Sequence, residues 1–449
     1  MRIIQYEINE LPFKVLDRYL NKNKGSFLEK FCINSEQFIT DIEEDKELHP
    51  WSTWPSVHRG VQPKVHGIKM LNQDINYADK YITIWDELLM KNKTVGIWGS
   101  LHSFLRSNNK SASFYFPDPF SSRYKAFPNE LREFQLFSNA FSQFSTKTKS
   151  IQSFFNLSLS FIRFIIKGDL SFGDWVSIFK ILFLKQMSLS QVTFTFIQAE
   201  LSFNRFLKQV VKSKPDNSFF FTNHLAGAMH RYWNNYYSED KKIFSKSPVL
   251  LAMKIFESHI KKLAKLNHKY KEDIAIVIVS SMGQDATNVQ RKIDFRANIK
   301  SKSKFFKNIL EESDSSLKLL EAMRPDNVIS GDLNELDKFS KNLPLLRDSK
   351  GAIFTISYKH TEFSLTTNIS SRDSISLIKG KYLSFNGKLI KPSDFGVIIY
   401  RQEHAEAYHI PEGALIINTL KSKSLTLKKK RRKISVTNIK NKILELADK

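Results

Sequence analysis

The chain has 449 residues, a formal net charge of +24, 37 Phe and a single Cys. That length holds two or three average domains, or one large α/β domain with an insertion, and the apolar fraction supports a sizeable core. Cys32 alone excludes an internal disulfide and fits a reducing compartment, and no run of about 20 apolar residues reads as a spanning helix.

The start, MRIIQYEINE, lacks the apolar h-region of a secretory signal. A cytoplasmic protein is expected, with room for a peripheral place at the inner face of the membrane. Arg2 to Ile8 reads as a short buried strand and Leu11 to Leu20 as an amphipathic helix, with Glu7, Asn9 and Glu10 at the junction. Phe38 to Ile42 is a second strand candidate. The stretch His49 to Ile68, HPWSTWPSVHRGVQPKVHGI, sets Thr53 between two Trp residues and before Pro55. A short helix, a Gly-containing turn and His66-Gly67 are expected to follow. A hydroxyl at a helix N-terminus lies among unpaired N–H groups, which favour an oxyanion or a phosphate. Tyr81 to Met90 is a helix pattern, Thr94 to Gly99 a strand, and His102 beyond it a surface residue. Phe116 to Phe120, FPDPF, marks a loop.

Between residues 131 and 215, Phe, Leu and Ile recur at helical spacing, which predicts a helical insertion or cap over the sheet edge. Phe155 to Ile166 and Trp175 to Leu184 are amphipathic and basic, a pattern that suits peripheral contact with an anionic membrane. Packing on the chain's own core is the commoner outcome for such stripes. Ser218 to Thr222 is a Phe-rich strand followed by Asn223, His224 and His230. Imidazoles suit zinc, but a six-residue gap keeps the two His off one helix face. Pro248 to Asn267 is a helix. Ile274 to Val279 is β-branched and apolar on both faces, hence a central strand, and it runs into Ser280-Ser281-Met282-Gly283.

Residues 300 to 350 carry helix patterns and loops without a motif. Gly380 to Ile390 reads as a hairpin about Asn386-Gly387. Ala405 to Ile417 holds His409, with His404 as exposed scaffold. Residues 420–433 form a basic loop, basic throughout Lys428 to Lys433, before a closing helix over Ile434 to Leu446. Strands alternating with helices predict one α/β domain over 1–449: a central mixed, mostly parallel sheet flanked by helices, with ligands at the carboxyl ends of its strands. The charge excess follows partly from a Lys-rich composition. With no zinc-finger spacing, phosphate loop or RNA-binding aromatic signature, nucleic acid is not expected as a partner.

Taken in order, these segments resemble the alkaline phosphatase superfamily, most like its nucleotide pyrophosphatase/phosphodiesterase branch. Thr53 precedes the aromatic-Pro pair Trp54-Pro55, and Gly60, Pro63 and His66-Gly67-Ile68 stand where that family has them, with Arg59 in place of a Thr. The resemblance implies that Thr53 is the nucleophile toward a phosphate or sulfate ester, of a small molecule, sugar or lipid-linked saccharide. The first-strand metal ligand falls to Glu7, since a carboxylate binds a divalent ion better than an amide. Asn9 and Glu10 stay open as counterparts, and so does a plain helix-capping role. Asn223 or His224 takes the place of the family's Asp at the end of the strand Ser218 to Thr222. The position four residues beyond Asn223 is Gly227, leaving His224 and His230. His409 matches the late metal-binding His, and Asn438 replaces an Asp. Where the family has Ser-Asp-His-Gly, Ser281 and Met282 remove both ligands. The expected cofactor is therefore fewer than two divalent ions (zinc, manganese or magnesium) on Glu7, Asn223, His224, His230 and His409. A hydrolase or transferase follows, or a catalytically weak member that holds an anionic ligand. Composition alone allows a third reading, a polyanion- or membrane-surface-binding protein.

Overall fold

The computed structural model describes the chain except residues 44–47, 70–79, 106–111, 120–123, 147–150, 167–169, 184–190, 271–272, 288–292, 321–326, 349–350, 357–361, 368–382, 404 and 420–430. Its strands, in chain order, begin with β1 (Arg2–Ile8), β2 (Glu36–Asp41), β3 (Val95–Trp98), β4 (Ala112–Phe116), β5 (Asn217–Thr222), β6 (Ile274–Val279), β7 (Gly283–Ala286) and β8 (Ile293–Ile299). Next come β9 (Lys318–Leu320), β10 (Asn327–Ser330), β11 (Leu346–Asp348), β12 (Gly351–Ala352), β13 (Phe354–Ile356), β14 (Glu362–Thr367), β15 (Leu383–Phe385) and β16 (Lys388–Ile390). The last are β17 (Val397–Glu403), β18 (Ala407–Ile410), β19 (Gly413–Asn418) and β20 (Arg432–Ser435).

One eight-stranded sheet runs β20-β2-β19-β6-β1-β5-β3-β4. It is mixed and mostly parallel: β19 alone runs antiparallel to its neighbours β2 and β6. The middle strands are apolar on both sides, as expected of strands covered twice. In β6, Ile274, Ile276 and Ile278 join one core, while Ala275, Val277 and Val279 join the other. The period of two that a strand imposes thus feeds both layers from one six-residue run.

Helices cover both faces: α1 (Phe13–Lys22), α2 (Phe27–Ile33), α3 (Pro50–Arg59), α4 (Pro63–His66), α5 (Ile84–Met90), α6 (Arg132–Thr146), α7 (Ile151–Ile166), α8 (Phe172–Phe183), α9 (Gln191–Ser213), α10 (His224–Tyr237), α11 (Lys241–Ser245) and α12 (Pro248–Tyr270). The helices α6 to α9 fill the span predicted as a helical insertion. Phe134, Phe164, Phe196 and Phe206 from them share the core of Trp98 and Phe220 on the sheet. The closing segment differs from expectation. Its first residues add β20 to the sheet edge beside β2, and the helix begins only at Ile439.

A third hydrophobic cluster lies wholly between Ala297 and Val397, around Phe305, Phe339, Phe354 and Phe395. It is built from α13 (Lys302–Leu310), α14 (Leu333–Asn342) and two four-stranded antiparallel sheets, β13-β14-β10-β9 and β12-β11-β15-β16. The predicted hairpin is here, with Asn386 and Gly387 both at positive φ between β15 and β16. This lobe hangs on two antiparallel ribbons, since β8 pairs β17 and β7 pairs β18.

Candidate metal centre and the Thr53 site

The site is assembled where β1, β5 and β6 end. β1 lies between β5 and β6 in the sheet, so the residues after each strand meet at one edge. Beyond β1 the chain turns sharply, with Glu10 at φ 63°, a left-handed backbone that costs a non-glycine residue about 1–2 kcal/mol. That turn presents the Glu10 carboxylate to two imidazoles. His230 Nε2, from α10, lies 3.2 Å from Glu10 Oε2, and His409 Nε2, from β18, lies 3.4 Å from it. The three form the metal-compatible group of His and carboxylate side chains found among the described residues.

The outer contacts fix which nitrogen is available. His230 Nδ1 lies 2.8 Å from the Ala407 carbonyl, and His409 Nδ1 lies 2.6 Å from the Leu48 carbonyl. A carbonyl only accepts, so each Nδ1 carries the hydrogen, and a neutral ring then turns a lone pair on Nε2 toward Glu10. Two lone pairs facing one carboxylate repel unless a metal cation, or a proton on each Nε2, stands between them. This carbonyl–imidazole–ligand arrangement is the usual outer support of a bound metal. Gln284 also donates to Glu10 Oε2, and Asn9 Nδ2 donates to Glu10 Oε1 at 2.7 Å. Burial works to raise the Glu10 carboxyl; with no metal bound, the alternative state has both rings protonated, and their charge and Nε2–H bonds then hold the carboxyl well below the usual carboxylate range. The donor set, two imidazoles and one ionised carboxylate, fits one divalent ion and favours zinc over magnesium.

Asn9 ties this group to the Thr53 segment. Its Nδ2 also donates to Asn223 Oδ1 at 2.7 Å, and its Oδ1 accepts from Trp54 Nε1 at 2.8 Å. Thr53 is next to Trp54 on α3, and its hydroxyl lies 2.8 Å from the Ser281 hydroxyl at the end of β6. Thr53 is the fourth residue of its helix rather than its cap, and its N–H is already used by the His49 carbonyl. The expected bed of unpaired N–H groups is therefore not at Thr53, whose side chain is 0% exposed.

The other expected ligands turn elsewhere. Glu7 is fully buried and accepts from Gln5 (2.7 Å), His58 (2.9 Å) and Ser100 (2.8 Å), which satisfies both oxygens inside the fold. His224 points into the core, with Nδ1 on the Thr222 hydroxyl at 2.8 Å and Nε2 on the Ala252 carbonyl at 3.2 Å. Asn223 reaches the group only through Asn9. His102 is buried, not on the surface, and His404 lies outside the described residues. Met282 is buried.

The remaining motif residues shape the chain. Gly60 and Gly67 end α3 and α4 in the left-handed conformation, and Pro63 starts α4. His66 Nδ1 accepts from the Ile68 N–H at 3.0 Å, and its Nε2 lies 3.0 Å from the Ser56 hydroxyl. Arg59 is buried and donates to the Tyr81 carbonyl at 2.6 Å. At the end of the basic run, Arg431 pairs with Asp17 through two 2.7 Å bonds and Lys433 with Glu412 at 2.7 Å, so both serve the fold.

Sequence reasoning missed Gln284 as a contact of the centre and Ser281 as the partner of Thr53. A signal for Gln284 existed: one amide beside a glycine at the end of a wholly apolar strand.

No family model matches the chain, and no curated protein matches it in sequence. Among solved structures it is similar to murine ectonucleotide pyrophosphatase/phosphodiesterase 5, with 10% identity, a TM-score of 0.43, and 100% of this chain and 95% of that one covered. That protein is also known in complex with AMP. Phosphonoacetate hydrolase from Sinorhizobium meliloti 1021 is similar with 11% identity, a TM-score of 0.42, and 99% and 95% covered. The alkaline phosphatase of the Antarctic bacterium TAB5 is similar with 8% identity, a TM-score of 0.38, and 100% and 98% covered. The likenesses span the whole chain and, at this distance, assign it no activity.

Proposed function

We propose that the chain acts on a phosphate or sulfate ester, as a hydrolase or transferase, at a centre that binds one divalent cation. The observation that carries this reading is the pair of Nε2 atoms of His230 and His409 aimed at one oxygen of Glu10. Glu10, His230 and His409 hold the cation, with Gln284 and Asn9 fixing the carboxylate. When bound there, a divalent ion supplies charge stabilisation to an ester oxygen.

The chain's own residues supply the rest. Thr53 Oγ attacks the phosphorus in line, so an O–P bond to Thr53 forms as the P–O bond of the leaving alcohol breaks. Water or an acceptor alcohol then takes the phosphoryl group from Thr53. Ser281 orients the hydroxyl but is no base, so the hydroxyl proton leaves with the departing alkoxide. Sugar esters and lipid-linked saccharides fall within the substrate class.

One observation favours a second reading, a protein that holds an anionic ester without turning it over. Thr53 is wholly covered and its hydroxyl is engaged by Ser281. Metal analysis of the purified protein, followed by turnover of a chromogenic phosphodiester, separates the two. On the first reading about one zinc is bound, Glu10→Gln loses it, and Thr53→Ala lowers turnover about a thousandfold or more. Metal without turnover selects the second. Absence of bound metal after zinc loading rejects the centre itself.

A further inference from the structure

A surface helix ordinarily turns a polar face to water. Two helices in the insertion do not. On α7, Phe155, Leu159, Ile162 and Ile166 are exposed at spacings of four, three and four residues, which is one continuous stripe. The opposite side of the same helix sends Phe164 into the core, with Leu157 and Phe161 packed against it. On α8, Phe172, Val176 and Phe179 form a second stripe, at spacings of four and three, while Ile178 and Ile181 face the core. Phe172 is 85% exposed and Ile166 76%. Nine of the eighteen large apolar side chains exposed among the described residues lie on α6 to α9, a small part of the chain. A patch so concentrated marks a contact surface rather than ordinary scatter.

The charge of the same segment says what covers it. Between residues 147 and 185 the sequence holds Lys147, Lys149, Arg163, Lys167, Lys180 and Lys185, against Asp169 and Asp174. Asp174 is buried and spent on Ser171, Asn204 and Arg205, so it offers the surface no negative charge. Arg163 is exposed beside the apolar stripe of α7, with Glu133 3.7 Å away. Apolar stripes at helical spacing in a segment of this basic sequence match an anionic bilayer, whose acyl layer takes the stripes while its headgroups favour positive charge. Neither helix is long and apolar enough to cross a membrane. We propose that α7 and α8 dock the protein on an anionic lipid surface, lying in the interface with Phe155, Ile166 and Phe172 inserted.

The test uses the full-length protein and vesicles of phosphatidylcholine with or without phosphatidylglycerol. Cosedimentation is expected with the phosphatidylglycerol vesicles at low salt, weakening at high salt and on phosphatidylcholine alone. Replacing Leu159 and Ile166 together by Ser, or Phe172 and Phe179 together by Ser, is expected to weaken it about tenfold. Turnover should stay unchanged, because these residues lie outside the centre. A readout on the unaltered chain guards against misfolded variants. Trp175, on α8, is the one tryptophan not buried, so brominated lipid should quench part of the emission. No cosedimentation with anionic vesicles overturns the proposal. So does binding that both double variants leave intact, absence of quenching, or a self-associated protein that the variants make monomeric without any vesicle binding.

Discussion

Two kinds of histidine coexist in this chain, one partly buried and one fully buried, and their hydrogen bonds separate them. His230 and His409 give Nδ1 to a carbonyl and turn Nε2 to a carboxylate, which suits a cation. His224 and His66 spend both ring nitrogens on neutral partners. Burial pushes His224 down to about 3, and burial together with the charge of Arg59 pushes His66 down to about 4. Both values lie below the ordinary 6.5. The native state therefore refuses protons that the unfolded chain accepts as the pH falls. Their stabilising contribution is complete above about pH 6.5 and is lost progressively toward pH 4 and 3. The urea midpoint, followed with chelator present, is expected to drop over that window, and His224→Gln should make the drop shallower. An equal slope in the variant would show that His224 is already charged in the native state.

The same scale shows why the site was only partly legible. Thr53 and His409 stood out because each sits in a run of unusual residues. Glu10 stayed an alternative to Glu7, since both are carboxylates near the same strand end. What separates them is a backbone angle: with φ positive at Glu10, the turn swings its side chain to the edge, while Glu7 remains inside the strand. That angle has no marker in a Glu codon, whereas a Gly would have announced it.

Among elements, the turn after β6 is the one on which the Thr53 arrangement rests. Ser280 Oγ accepts from the Leu11 N–H at 2.8 Å and donates to the Met282 carbonyl at 2.7 Å. Thr40 donates to the Ser280 carbonyl at 2.8 Å. Gly413, at the start of β19, lies so close that a Cβ there would come within 2.7 Å of the Ser280 carbonyl and 2.8 Å of the Met282 carbonyl. Both are backbone atoms with no flexible side chain to yield. Gly413→Ala should therefore cost about 1–3 kcal/mol of stability, read as a lower denaturant midpoint with unchanged slope. It should also lower turnover, because Ser281 moves with the turn. The clearest elements were readable for simple reasons: α12 carries several turns of one helical period, and β6 is an unbroken apolar run bounded by polar residues. The strands β9 to β16 of the lobe are two to six residues long, too short for a period to show, so the sequence offers there only helix patterns, loops and the hairpin about Asn386-Gly387.

At the scale of the molecule, the lobe between β8 and β17 has a core of its own. Thr287 still pairs with the other side of the stem, its N–H on the Glu406 carbonyl at 3.1 Å and its hydroxyl on the Ala405 carbonyl at 3.1 Å. A chain in which Thr287 is joined to Ala405 by Asn-Gly, the pair that suits a two-residue hairpin, should keep β7 and β18. Zinc affinity of that shortened protein, measured by titration calorimetry, is expected within about tenfold of the full chain. A larger loss would mean that the lobe itself braces the centre.

The stem has one more implication. His409 stands directly across from Gln284 in the β7–β18 ladder, and both touch Glu10. Side chains alternate along such a ladder, so sliding β18 by a single rung would bring the Tyr408 phenol to the place of the imidazole. Strand alignment is thus a yes-or-no gate on cation capture: one inserted codon near this root would leave the protein folded and its centre mute.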